Sequence, residues 1–398
     1  MANSWHLPRG SSGKNWRDRI LSPLCESAIR QILPCPTAPY SEMLPAAAVR
    51  AYCKERGWRV KEDSAGNLLV RVPGKKGGRP SIAFEAHLDH PAMVVTSVKK
   101  DGRLGASFYG GHPGERMPGG KVRLWSPDGS QSAKAVVESV GKKNMKSGAL
   151  GLTLRITSKR GAAPKKSWIG EWDLPLRLTK KKIRNVVCDD LAGVASILAG
   201  LDLAWRSGME RSALAYFTRC EENGFVGCLQ GIHLETFPKD VPVVVLECSP
   251  KLPNAQPGDG PIARVGDRLS IYDPKLLQRL ENAAEELQQR VPGFLWQRKL
   301  MDGGACEATA FCSAGYSSAG MALALTNYHN VPDNRKGGPA HEEVNRCDQE
   351  NLVLWLATLC LGRKKGAIPP GPAVLLEKLR KNRSKMLGVK SLHFATRK

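Results

Sequence analysis

Apolar positions along the 398-residue chain fall into three patterns, each of which predicts a different kind of element. Short apolar strands are expected at 81–86, 213–218, 241–246 and 319–325, and the unbroken run over 241–246 is how a strand buried on both faces reads. Helical periodicity lies between them: Gly193, Val194, Ile197, Leu198 and Leu201, then Leu229 and Ile232, and further helices over 274–290, 305–313 and 348–361. Strand and helix in alternation predict an α/β fold with a doubly wound, mostly parallel sheet.

The second pattern fills 94–182, with short strands at 94–98, 103–109, 121–125, 133–140, 152–156 and 176–178 separated by Gly and Pro turns. Helical periodicity is missing there, which implies an inserted all-β module, barrel-like or PDZ-like. The third pattern is polar. Residues 1–23 read as a flexible leader. A helix capped by Ser41 and ending near Gly57 follows, with strands at 58–61 and 67–72. The basic glycine-rich stretch 74–80 lacks the GxxxxGK[ST] order and precedes a strand, so it reads as a solvated hairpin loop. From Arg363 the tail interleaves Leu375, Leu376, Leu379, Met386 and Leu387 with Lys378, Arg380, Lys381, Arg383 and Lys385, a basic amphipathic pattern. It suits an acidic surface such as RNA or anionic lipid, or else a solvated appendage. The resulting division is a leader (1–23), a catalytic layer (24–93 and 183–362), the β-rich insertion (94–182) and a basic tail (363–398).

Composition adds the surroundings. Lys and Arg number 60 against 37 Asp and Glu, a net charge of +23, which favours polyanion contact or marks an enzyme of a basic proteome. Eleven cysteines without a CxxC pair imply reduced thiols in a cytosolic protein. The first forty residues carry no secretory apolar core, and the longest apolar run, 352–361, falls short of the ~20 residues a membrane span needs. A cytoplasmic location is the expectation.

The chemistry sits where strands end. His87 and Asp89 close the strand at 81–86 and share a face, as a metal-bound imidazole and its orienting carboxylate do. Asp189–Asp190, Glu221–Glu222, Glu247 and His329 stand at four further strand ends, and ligands of open α/β sheets bind outside those ends. Clustered buried carboxylates repel unless a cation compensates them, so a dinuclear site is the economical reading. An imidazole and carboxylate donor set suits Zn²⁺ first, then Co²⁺ or Mn²⁺. Asp190 can equally cap the helix after it. His112 reads as a loop residue, and His90, His233 and His341 fall outside the motif positions.

Ala86-His87-Leu88-Asp89, Cys188-Asp189-Asp190-Leu191-Ala192-Gly193, Glu221-Glu222-Asn223-Gly224-Phe225-Val226-Gly227, Glu247 after an apolar strand, and Tyr328-His329-Asn330 occur in that order. Together they resemble the metal motifs of the tetrahedral-type deblocking and glutamyl metallo-aminopeptidases, within the wider dinuclear zinc exopeptidases and aminoacylases. The resemblance covers about 40–362, and the insertion matches that family's β-rich dimerisation domain. It implies that His87 and Glu247 hold one metal and Glu222 and His329 the other, with Asp189 bridging. Asp89 would orient His87, and Glu221 would be general base toward a water shared by the metals. It further implies a cis peptide after Asp189, short peptide substrates, and dimers that build twelve-subunit shells.

Three features depart from that pattern. His90-Pro91-Ala92 stands where the aminopeptidases have an acidic residue and then Gly, and Glu247 stands where they have Asp. Glu at that position goes with carboxypeptidases and deacylases of the clan, so a carboxypeptidase or N-acyl amino acid deacylase remains an alternative. The basic tail lies beyond the pattern, and a catalytically silent relative binding RNA or a membrane is the other alternative.

Overall fold

In the computed structural model, residues 16–160, 163–236, 238–334 and 336–362 and the single residue Leu376 are described, the side chains of 159 and 160 excepted. The chain first lays down β1 (Arg59–Glu62), β2 (Leu68–Val72) and β3 (Ala83–His87). It then leaves for β4 (Ala92–Val98), β5 (Leu104–Tyr109), β6 (Lys121–Trp125), β7 (Ser132–Lys143), β8 (Leu150–Arg160) and β9 (Ile169–Trp172), which close into a barrel in the order β4-β5-β8-β7-β6-β9. It returns as β10 (Arg177–Leu178), β11 (Lys182–Asn185), β12 (Ala213–Thr218), β13 (Val243–Pro250), β14 (Ile262–Gly266), β15 (Gln297–Leu300), β16 (Ser318–Thr326) and β17 (Glu342–Asn345).

The centre of the large sheet is parallel: β12 lies beside β3, β3 beside β13 and β13 beside β16. Antiparallel strands β2 and β1 extend one edge, β17, β11 and β10 the other, and β14 with β15 branches from β16. Every position of β3 and β12 is buried, because helices cover both faces. Ser22–Ile32, Leu191–Arg206 and Arg346–Leu361 pack together on one face, and Val226–His233 and Glu307–Ser313 on the other. Leu191–Arg206 is buried from Leu191 to Ala204, which accounts for a sequence apolar on all sides. Gly200 permits its approach to Arg346–Leu361, since a Cβ there would come within 2.9 Å of Leu356 Cβ. The parallel arrangement brings the carboxyl ends of β3, β12, β13 and β16 to one edge of the layer, where the site lies.

Several expectations need correction. The leader cannot extend to residue 23: Arg17–Leu21 forms a π-helical turn continuous with Ser22–Ile32, and Leu21, Cys25, Ala28, Ile29 and Ile32 form its buried stripe. Residues 1–15 lie outside the described residues. Ser41 does not cap its helix, because Met43–Glu55 starts after Glu42, whose carboxylate turns to Arg219 and Cys220. Residues 177–178 pair with β11 in the large sheet rather than in the insertion. The barrel closes through β9, a four-residue strand with Gly170 at its middle that carries little apolar signal. β13 runs on to Pro250, so Glu247 lies within the strand. The tail 363–398, Leu376 apart, is outside the described residues.

Candidate metal centre

Two imidazoles converge on Asp189 from opposite sides. His87, on the last residue of β3, places Nε2 3.6 Å from Asp189 Oδ1 and 3.9 Å from Glu247 Oε2. His329, in the 3-10 turn after β16, places Nε2 3.5 Å from Asp189 Oδ2 and 3.0 Å from Glu222 Oε1. Two three-residue groups have donor atoms within 4.8 Å of one another in this division: His87, Asp189 and Glu247, and Asp189, Glu222 and His329. A third such group, His87, Glu221 and Glu222, brings Glu221 to the same cluster.

Backbone geometry aims each group. His87 Nδ1 lies 3.1 Å from the carbonyl of Asp89, and His329 Nδ1 lies 2.8 Å from the carbonyl of Gly111. A carbonyl only accepts, so in the neutral rings Nδ1 carries the hydrogen and Nε2 turns its lone pair inward. Both Nε2 atoms and Glu222 Oε1 are buried without a hydrogen-bond partner among the described residues. Lone pairs and carboxylate oxygens facing each other at these distances repel, and a cation between them removes the repulsion. The donor set therefore fits two divalent cations sharing Asp189.

The electrostatics agree. Burial disfavours charge on His87, yet Asp189, Asp89 and Glu247 outweigh it and hold the ring well above its ordinary pKa. Burial opposes charge on His329 too, and Glu222 and Asp189 overcome it. Burial and Glu247, Glu222 and Glu307 push Glu221 well up, with His87 opposing. The cluster calls for positive charge beyond what its own residues supply.

Asp189 joins Asp190 through a cis peptide, as the resemblance implies. Asp190 caps Leu191–Arg206 by accepting from the Gly193 N–H at 3.2 Å, as its place before that helix allows. Glu221 and Glu222 sit on a 3-10 turn after Cys220, which has φ 55°. Asp89 accepts both of their N–H groups, at 2.9 and 3.1 Å.

Sequence reasoning passed over several participants. His90, set aside, is buried with Nδ1 2.6 Å from the Asp189 carbonyl and Nε2 3.2 Å from Asn330 Oδ1. Glu342 accepts from the N–H groups of Cys188, Asp189 and His329, tying Asp189 to His329, while its neighbour His341 points out toward Pro175. Glu42 accepts from Arg219 and the Cys220 N–H, bracing the turn that carries Glu221. Below His87, Thr218 Oγ1 stands 2.8 Å from Glu85 and 2.7 Å from Glu307. Burial lifts Glu85 to about 8, so one hydroxyl can lie between two carboxyl groups of which at least one keeps its proton. Arg264 is 4% exposed, unpartnered at Nε, and lines the pocket beside Asp189, Glu221 and Glu247 with Leu252, Met301 and Tyr328. Glu85 and Arg264 left a signal, a charge inside an apolar strand. Glu342 left none that separates it from Glu343.

Known proteins share the fold of this chain. The model of the M42 glutamyl aminopeptidase family matches residues 66–149 and 172–332. A TET aminopeptidase from the marine sediment archaeon Thaumarchaeota archaeon SCGC AB-539-E09 has the same fold, with TM-score 0.70 and 18% identity over 86% of this chain and 98% of that one. Pyrococcus horikoshii TET1 peptidase gives TM-score 0.68 and 19% identity over 85% of this chain and 100% of that one. Among curated proteins, an uncharacterized hydrolase of Haemophilus influenzae is 43% identical over 54 residues, 14% of this chain and 12% of that protein's length. The family match spans more than half of the sequence, and the chain belongs to the M42 glutamyl aminopeptidase family.

Proposed function

We propose that this chain is a dinuclear metal-dependent aminopeptidase that removes N-terminal residues from short peptides. The observation that carries the reading is the pair of inward-facing Nε2 atoms of His87 and His329 on either side of Asp189. His87 and Glu247 would hold one cation, Glu222 and His329 the other, with Asp189 between them. Zn²⁺ suits these donors best, followed by Co²⁺ or Mn²⁺. When bound, the cations supply Lewis acidity toward the scissile carbonyl and acidify water. Glu221 accepts the proton of the attacking water and returns it to the leaving amine. Asp89 holds Glu221 and Glu222 by their N–H groups, so the base and a ligand stay in register.

The pocket beside these residues supports a preference for substrates that carry a carboxylate. Arg264 is a buried cation facing it with donor capacity to spare, and a carboxylate meets that need with a charge-assisted bond. The carboxylate can be an acidic side chain at the substrate's amino end, which accords with the family's description. It can instead be the α-carboxylate of a carboxypeptidase or deacylase substrate, the reading that Glu247 also favours. Retention of Glu221 with the full ligand set speaks against a silent relative that binds RNA or lipid through the basic tail. Among the described residues no helix is long and apolar enough to cross a membrane. All eleven cysteines are free, in keeping with a reducing cytoplasm. Assembly as a homo-oligomer through the barrel is part of the proposal, as P. horikoshii TET1 is described as forming a tetrahedron or a large octahedral shell.

Hydrolysis of unblocked, N-acylated and C-amidated short peptides, with Glu or Leu first, tests this reading. An aminopeptidase needs the free amino end and tolerates the amide. Cleavage that instead demands a free carboxyl end or an acyl group moves the assignment to the carboxypeptidase or deacylase.

A further inference from the structure

The barrel reaches the metal centre through the turn that follows β5. Between β5 and the next short 3-10 turn, the chain passes through Gly110 and Gly111, and the Gly111 carbonyl accepts from His329 Nδ1 at 2.8 Å. We infer that the barrel is a working part of the metal centre, its Gly111 carbonyl acting as the positioning group that aims His329 at the second cation. This inference rests on the proposed dinuclear site.

Four observations converge on it. A Cβ on Gly111 would stand 3.2 Å from His329 Nδ1 and 3.6 Å from Cε1, so only glycine lets the carbonyl approach without pressing on the ring. Gly110 has φ +89°, and a Cβ there would meet Pro91 Cβ and Cγ at 2.8 Å, which seats the turn against the link between β3 and the barrel. His112, the next residue, packs its ring on Phe108 and Trp172, with centroids 5.8 and 5.5 Å apart, and thereby ties the turn to the barrel core. Beyond His329, His341 Nε2 lies 3.0 Å from the carbonyl of Pro175, at the other link between barrel and catalytic layer. The loop bearing His329 is thus held by the turn after β5 and, through His341, by the second link.

The chemistry follows from the asymmetry of the two imidazoles. His87 takes its orienting carbonyl from Asp89, two residues on in the segment that follows β3, so that contact is local. His329 takes its carbonyl from 218 residues away, across the barrel's seat. Loss of the Gly111 carbonyl therefore loosens the site of Glu222 and His329 and leaves the contact that orients His87 in place.

Metal binding tests this without recourse to activity. Full-length protein stripped by a chelator is titrated with Zn²⁺ against a chromophoric competitor, for wild type, Gly111→Ala and His112→Ala, with thermal melts as a check on folding. His112→Ala leaves the carbonyl in place and releases the turn from the barrel core, so it serves if Gly111→Ala does not fold. The expected result is two binding steps in the wild type, one of them weakened at least about tenfold in the variants and the other changed less than about threefold. Both steps unchanged, or both weakened alike in folded protein, overturns the barrel's role. A wild type that takes up no Zn²⁺ overturns the dinuclear reading itself.

Discussion

The carboxylate of Asp89 accepts the backbone N–H of Glu221 at 2.9 Å, so the residue expected to orient His87 also holds the proposed base. Its side chain lies 3.6 Å from His87 Nδ1, and its main-chain carbonyl is the closer acceptor at 3.1 Å. Asp89→Asn leaves the carbonyl and turns an amide toward one of two N–H groups. Metal affinity and kcat should both fall, by about 10- to 100-fold, with little change in the melt. A competitor titration and steady-state kinetics on one preparation check this.

Glu221→Gln keeps the volume of the side chain and removes its basicity. The expected outcome is a kcat lower by about 10²- to 10⁴-fold with KM and metal content nearly unchanged. Loss of metal together with activity would mean that Glu221 is a ligand, as its place in the group with His87 and Glu222 allows.

Arg264→Leu separates recognition from chemistry. Carboxylate-bearing substrates should lose about 10- to 100-fold in kcat/KM, the worth of one charge-assisted bond. Leucyl substrates should hold or gain. Parallel assays of Glu- and Leu-initiated peptides read the ratio.

Much of this was legible because it was written in local patterns. Strand ends carry their acids and imidazoles in the sequence, and an unbroken apolar run such as Val243–Leu246 marks a strand covered on both sides. What stayed hidden was distributed. Glu342 serves Cys188 and Asp189 across more than a hundred residues and His329 across 13, and no spacing announces that. Gly111 looked like turn punctuation, since its contact is made by a carbonyl that every residue owns. His90 falls outside the motif positions, and its contacts with the Asp189 carbonyl and Asn330 are made across 99 and 240 residues. The strand β9 failed to register because it takes its place from partners on both sides rather than from its own four residues.

Asp348 gives a pH test away from the metal centre. Burial lifts its carboxyl to about 6, opposed by the N–H groups of Gly258 and Gly260 that it accepts at 2.6 and 3.0 Å. A raised carboxyl pKa means the folded state binds more protons than the unfolded state between the two values, so stability falls as pH rises through that window. Relative to Asp348→Asn, the wild type should lose about 2 kcal/mol between pH 4 and 6 and about 3 kcal/mol in all, levelling off near pH 7. Urea midpoints of both proteins at several pH values give the difference directly.

The dinuclear centre itself is best tested by elemental analysis of purified protein, paired with peptide hydrolysis before and after chelation and on return of Zn²⁺. The expected result is about two divalent cations per chain, activity lost with them and restored by Zn²⁺. Protein that holds no divalent cation, or cleaves peptides equally well once stripped, would contradict the account.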